Sequence, residues 1–121
     1  MKGLTLIDLA NVGTGKGFKK AVGVSGKILG IGSIMKSVPN EDGEIVDKSI
    51  AIVKVSGDGK TEVFSGASIV MNARVAELEG IFESDPTAFE NGRITGHFET
   101  IDCKEGEGVT LILDTYDEPG K

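Results

Sequence analysis

The sequence predicts an all-β domain with one helix, and three features of the chain predict it. Eighteen glycines punctuate runs rich in valine, isoleucine and threonine, the residues that suit a pleated surface. Those runs end in turn sequences such as NEDGE and SGDGK. The hydrophobic period lengthens from that of a strand to that of a helix once, over Ser68–Phe82.

Taken in order, Val22–Met35 reads as a long strand spotted with glycine at 26, 30 and 32, an even spacing that places all three on one face. Glycines used this way let a strand bend or another backbone approach. Asn40–Glu44 is an acidic turn, Ile45–Val55 a second strand, Ser56–Lys60 a tight hairpin turn and Thr61–Ser65 the return strand. In the helix, Ile69, Val70, Ala73, Ala76 and Leu78 approximate the i, i+3, i+4 spacing, with Ser65 or Ser68 to cap its start and Gly80 near its end. Glu83–Gly92 is a loop. Arg93–Cys103 and Gly108–Tyr116 form a second hairpin. Three strands, one helix and two strands, with a curved first strand, are the elements of an OB-fold, the five-stranded Greek-key barrel, with the helix as the plug of its base. Residues 1–113 are expected to form this domain and 114–121 an acidic, flexible tail.

The length of 121 residues fits one core, and no run of eighteen apolar residues exists to span a membrane as a helix. MKGLTLIDLANV breaks its apolar run at Asp8 and makes a poor signal peptide. Cys103 is the only cysteine, which excludes an internal disulfide and suits a reducing cytoplasm. The net charge of −6 is unevenly spread: residues 1–40 hold six lysines against Asp8 alone, whereas the rest holds 18 acidic and 7 basic groups. Gathered cations can attract a polyanion even on an acidic protein, because local potential decides within about 8 Å.

Several motifs look chemical and fail on spacing. GTGKG (Gly13–Gly17) lacks the first glycine of a P-loop, where Ala10 stands, and the Ser or Thr after its lysine, where Gly17 stands. A single histidine, His97, and a single cysteine make neither a zinc set nor a nucleophile–base pair, so His97 reads as a strand-surface residue. The EDGE and EGE carboxylates sit in turns, where acids serve solubility. The expectation is a chain without catalytic activity, cofactor or metal.

Unpaired nucleic acid is held by cations that neutralise phosphates and by rings that stack on bases. Lys16, Lys19 and Lys20 surround Phe18 on a glycine-rich loop, Lys27 and Lys36 lie on the first strand, and Lys48 and Lys54, six apart, share a face of the second. In an OB-fold that face is the binding face, which adds Phe64 from the third strand. Phe98, alternating with Ile94, reads as buried, and Phe82 belongs to the helix; Phe18, Phe64 and Tyr116 remain to stack. The tail TYDEPGK would compete for the basic face, dock on a basic patch of a partner, or serve simply as a solubilising end. The competing reading is a small β-barrel module for protein–protein interaction whose acidic two-thirds is the working surface.

The runs TGKGFKKAVGVSGKILGIGSI, VFSGASIVMNARVAELEGIF and ETIDCKEGEGVTLILD, in that order over about residues 13–115, resemble the small single-stranded-DNA-binding proteins of tailed bacteriophages. The resemblance implies an OB-fold, coating of single-stranded DNA during phage replication or recombination, no cofactor, and self-association, with a homodimer as the simplest form. Replication or recombination proteins would be partners through the acidic tail.

Overall fold

The computed structural model describes residues 17–57, 59–85, 87, 89, 93–103 and 106–116. It is mostly β. A one-turn 3-10 helix, Phe18–Ala21, leads into β1 (Ser25–Pro39), β2 (Ile45–Gly57), β3 (Lys60–Gly66), α1 (Ile69–Ser84), β4 (Ile94–Cys103) and β5 (Gly106–Tyr116). The strands form one antiparallel sheet in the order β3-β2-β1-β4-β5. No ladder joins β3 to β5 among the described residues, so the sheet is not closed. The 3-10 helix touches both of these outer strands.

The expected order of elements is present, and the turns show why. Asn40 folds its side chain over the β1–β2 turn, where Oδ1 accepts from the backbone N–H of Asp42 and of Glu44, both at 2.9 Å. Gly43 supplies the left-handed φ of 81° there. Gly57 pairs with Lys60 across the β2–β3 turn, which leaves a two-residue loop.

A bulge between Ile28 and Gly30 shifts the β1–β2 register by one residue. Ile28 opposite Val55 and Ile31 opposite Val53 thus both enter the core, although three residues apart. The bulge also separates the three glycines expected on one face. Gly30 and Gly32 stand opposite Lys54 and Ile52, on the side away from the core. Gly26 stands opposite Gly96, and a Cβ on it would strike the carbonyl oxygen of Ser56. Close backbone approach at Gly26 is the role foreseen for these glycines.

Odd-numbered residues of β2 (Ala51, Val53, Val55) meet Phe64, Phe98, Ile94, Val109 and Leu111, with Met71, Val75 and Leu78 of α1 as a lid. The helix begins where expected: Ser68 Oγ accepts from Met71 N at 3.1 Å. Leu78 is buried as expected, but most of the expected stripe is not. Ile69 is 87% exposed, and Ala73 and Ala76 also face outward. Met71, Val75 and Leu78 keep the i, i+4, i+7 period, but on the neighbouring face, because larger side chains cover more of the core than two alanines do.

β5 runs through Asp114, Thr115 and Tyr116, so the first three residues expected in a flexible tail belong to the sheet. Residues 117–121 lie outside the described residues. No described helix is long and apolar enough to cross a membrane.

Candidate nucleic-acid interface

Strand pairing decides which candidate cations share a surface. Lys36 is directly opposite Lys48, and Lys54 lies six residues along β2 from Lys48, on the same face. Lys27 is nine residues from Lys36, a spacing that would set the two on opposite faces of a regular strand. The bulge corrects this: Lys27 pairs with Ser56, another even-numbered β2 residue, and so joins Lys36, Lys48 and Lys54 on the outer face. Lys27, Lys36 and Lys48 are exposed and Lys54 is half-buried. Two ammonium groups on directly paired residues repel each other, and an anion laid between them relieves that repulsion.

One acid of the hairpin takes the other side. Asp47 accepts from Ser37 Oγ at 2.6 Å on the opposite face of the β1–β2 ribbon. Beyond Ile34 and Ile50 this ribbon is two-stranded among the described residues. Helix α1 braces it: Asn72 Nδ2 donates to the Ser49 carbonyl at 2.9 Å, and Ser49 Oγ donates to Asn72 Oδ1 at 2.8 Å.

Lys19 and Lys20 are exposed on the 3-10 helix, away from the strands that carry the other four. They line a cleft of about 430 Å³ with Gly17, Ser65 to Ser68 and Glu107 to Val109, where the free edges of β3 and β5 approach. Lys16 lies outside the described residues.

The rings are elsewhere. Phe64 is fully buried and Phe18 is 6% exposed. Phe64 meets Phe98 edge-on at 5.5 Å between ring centroids, and Phe18 lies 6.2 Å from Phe98. Phe18 and Phe64 are therefore core residues in this structure, and their expected role as base-stacking platforms is corrected. Phe64 stands opposite Val53 on the inner side of β3, while Val63 and Ser65 point outward. Phe98 is buried as expected.

Tyr116, the remaining stacking candidate, is half-buried and donates its hydroxyl to Asp85 Oδ2 at 2.9 Å. Arg93 closes the same knot with Nη2 at 2.7 Å from Asp85 Oδ2 and Nη1 at 3.1 Å from Oδ1, and its guanidinium sits 6.0 Å from the Tyr116 ring centroid. The Arg93 hydrogen bond, helped by those from Tyr116 and Thr87, holds the Asp85 carboxyl below the usual carboxylate range, against the opposing pull of desolvation. This cluster ties the end of α1 to β4 and β5.

His97 lies on a strand, as expected, and the β4–β5 register supplies partners that local sequence does not reveal. A second bulge, between Thr95 and Gly96, leaves Asp114 as an extra residue on β5. Its carboxylate lies 2.8 Å from His97 Nδ1, and Glu99 Oε2 lies 2.8 Å from Nε2. An imidazole with a carboxylate on each nitrogen is best satisfied as imidazolium, and the Asp114 bond, then that of Glu99, raises its pKa. His97 stands opposite Ser25 on the Lys27 side of the sheet. Its two acids make β4 and β5 the anionic margin of the basic track.

Among the described residues, no three His, Cys, Asp or Glu side chains are placed to hold a metal ion. No protein-family model, no curated protein and no solved structure matches this chain.

Proposed function

We propose that this chain is a non-catalytic, sequence-independent single-stranded-DNA-binding protein on an OB-type barrel left open between β3 and β5, serving phage DNA replication or recombination. The observation that carries the reading is the shared outer face of Lys27, Lys36, Lys48 and Lys54, with Lys36 directly opposite Lys48. The strand order β3-β2-β1-β4-β5, the helix between β3 and β4 and the bulged β1 fit the OB barrel, whose binding face lies on its second and third strands. The phage assignment is supported by the resemblance in sequence layout.

With Phe18 and Phe64 inside, affinity comes from phosphates more than from stacking. Fluorescence anisotropy with labelled oligo-dT at two salt concentrations tests this. Binding that falls with salt at a log–log slope of about −0.7 per phosphate neutralised is the expected result. No detectable binding at low salt contradicts the proposal.

A second reading, a protein–protein module, is favoured by the exposed apolar side chains of Met35 (66%), Ile45 (68%) and Ile69 (87%). It predicts retention of a protein partner that survives loss of the four lysines.

A further inference from the structure

Behind the lysines, the same outer face carries an apolar stripe that nothing described covers. Ile50 and Ile52 form a cluster with Ile34 and Val63, separate from the main core. Helix α1 and the 3-10 helix both pack into the main core on the other side, through Met71, Val75, Leu78, Phe18 and Ala21. Even so, Ile52 is fully buried, Ile50 is 8% exposed, and Gly30 and Gly32 beside them are buried too. A sheet surface next to two glycines cannot hide an isoleucine by itself. The unbroken run Ile50–Val53 carries the same message, since strands exposed on one face alternate and strands covered on both do not.

We propose that this stripe is the seat of the chain's own N-terminal segment, residues 4–12, with Asp8 set among Lys36, Lys48 and Lys54. Three observations select this occupant over a second copy or the C-terminal tail. The first is the point of entry: Gly17 lies beside the Ser65 carbonyl, and Ser65 is directly opposite Ile52. The second is reach. Ile50 is two residues from Ile52, or roughly 7 Å along the strand, whereas a dozen extended residues span about 40 Å. The third is chemistry: Leu4, Leu6, Ile7 and Leu9 surround a single carboxylate, complementary to an apolar stripe bordered by ammonium groups. The tail offers acids but no such apolar run.

On the DNA-binding reading, the seated segment and a DNA strand claim the same cations. The segment is then an internal competitor, and its removal tightens oligo-dT binding.

The test places a reporter on the stripe. The chain has no Trp, so Val63→Trp gives a single tryptophan signal. In the full chain its emission is expected to be blue-shifted and shielded from acrylamide. Deleting residues 2–12 is expected to shift it to the red and raise quenching severalfold, and adding a peptide of residues 1–16 to reverse both. Identical emission and quenching in the two chains overturns the proposal. A change produced by deleting 117–121 instead, or one that follows protein concentration in both chains, also overturns it, in favour of the tail or a second copy. Should the shortened chain fail to fold by far-ultraviolet circular dichroism, Leu6→Asp with Asp8→Lys in the full chain takes its place, with the same two readings. A reporter shift without oligo-dT binding in either chain supports the docking and overturns the DNA reading alone.

Discussion

The two faces of β1, β2 and β3 divide the chemistry that unpaired nucleic acid needs. The inner face holds the rings: Phe64 packs on Phe98, and Phe18 closes over them from the 3-10 helix. The outer face holds the charge, with Lys27, Lys36, Lys48 and Lys54 around an aliphatic stripe. Alternation along a strand makes the division strict, since a residue one position away belongs to the other face. An aromatic residue near a lysine in sequence is therefore no guide to an aromatic beside it in space. Phe18 and its neighbours Lys19 and Lys20 repeat the lesson on one helical turn, where the ring is buried and both cations are exposed.

The largest effect that can break this division is on stability. Phe64→Ala or Phe98→Ala should cost about 3–5 kcal/mol in urea denaturation. A Phe64→Ala variant of undiminished stability that binds oligo-dT poorly would put that ring back on the binding face.

Next is the Asp85 knot, which fixes the inner side where α1 meets β4 and β5. The Asp85 pKa is lowered in the folded state, so its contribution is present above the ordinary value near 3.8 and is lost as pH falls through the depressed value. Asp85→Asn leaves Arg93 facing a neutral partner and should lower the melting temperature at neutral pH, with the difference shrinking in acid. A constant difference from pH 7 to pH 2 would contradict this.

The smallest effect belongs to the outer margin. The His97 pKa is raised, so its stabilisation is complete below the ordinary value near 6.5 and fades as pH rises through the elevated one. His97→Gln should thus destabilise at pH 5.5 and approach the unaltered protein at alkaline pH. The opposite trend in thermal melts would show that Asp114 and Glu99 do not hold the imidazolium.

Much of the fold was legible, because strands and turns declare themselves locally. Asn40, Gly43 and Gly59 mark the hairpins, and Ser68 marks the helix start. The phase of α1 was harder, since Ala73 and Ala76 count as apolar yet bury little, and Met71 and Val75 win by size. Both bulges escaped, as a one-residue insertion depends on the partner strand. With them went the separation of Gly26 from Gly30 and Gly32, the alignment of Lys27 with Lys36, and the approach of Asp114 to His97. The burial of Phe64 had a readable signal: it stands at even spacing from Glu62 but opposite the apolar run of β2, where a large ring fills the core. The Asp85, Arg93 and Tyr116 contacts join residues up to 31 positions apart and leave no local trace.

The most direct test of the account is the salt dependence of oligo-dT binding before and after Lys36→Ala, Lys48→Ala and Lys54→Ala are combined. The account predicts a folded variant with weaker binding at low salt and a log–log slope shallower by about 2, at roughly 0.7 for each phosphate no longer neutralised. An unchanged slope and affinity in the triple variant would mean that the outer face of β1 and β2 is not where a strand lies.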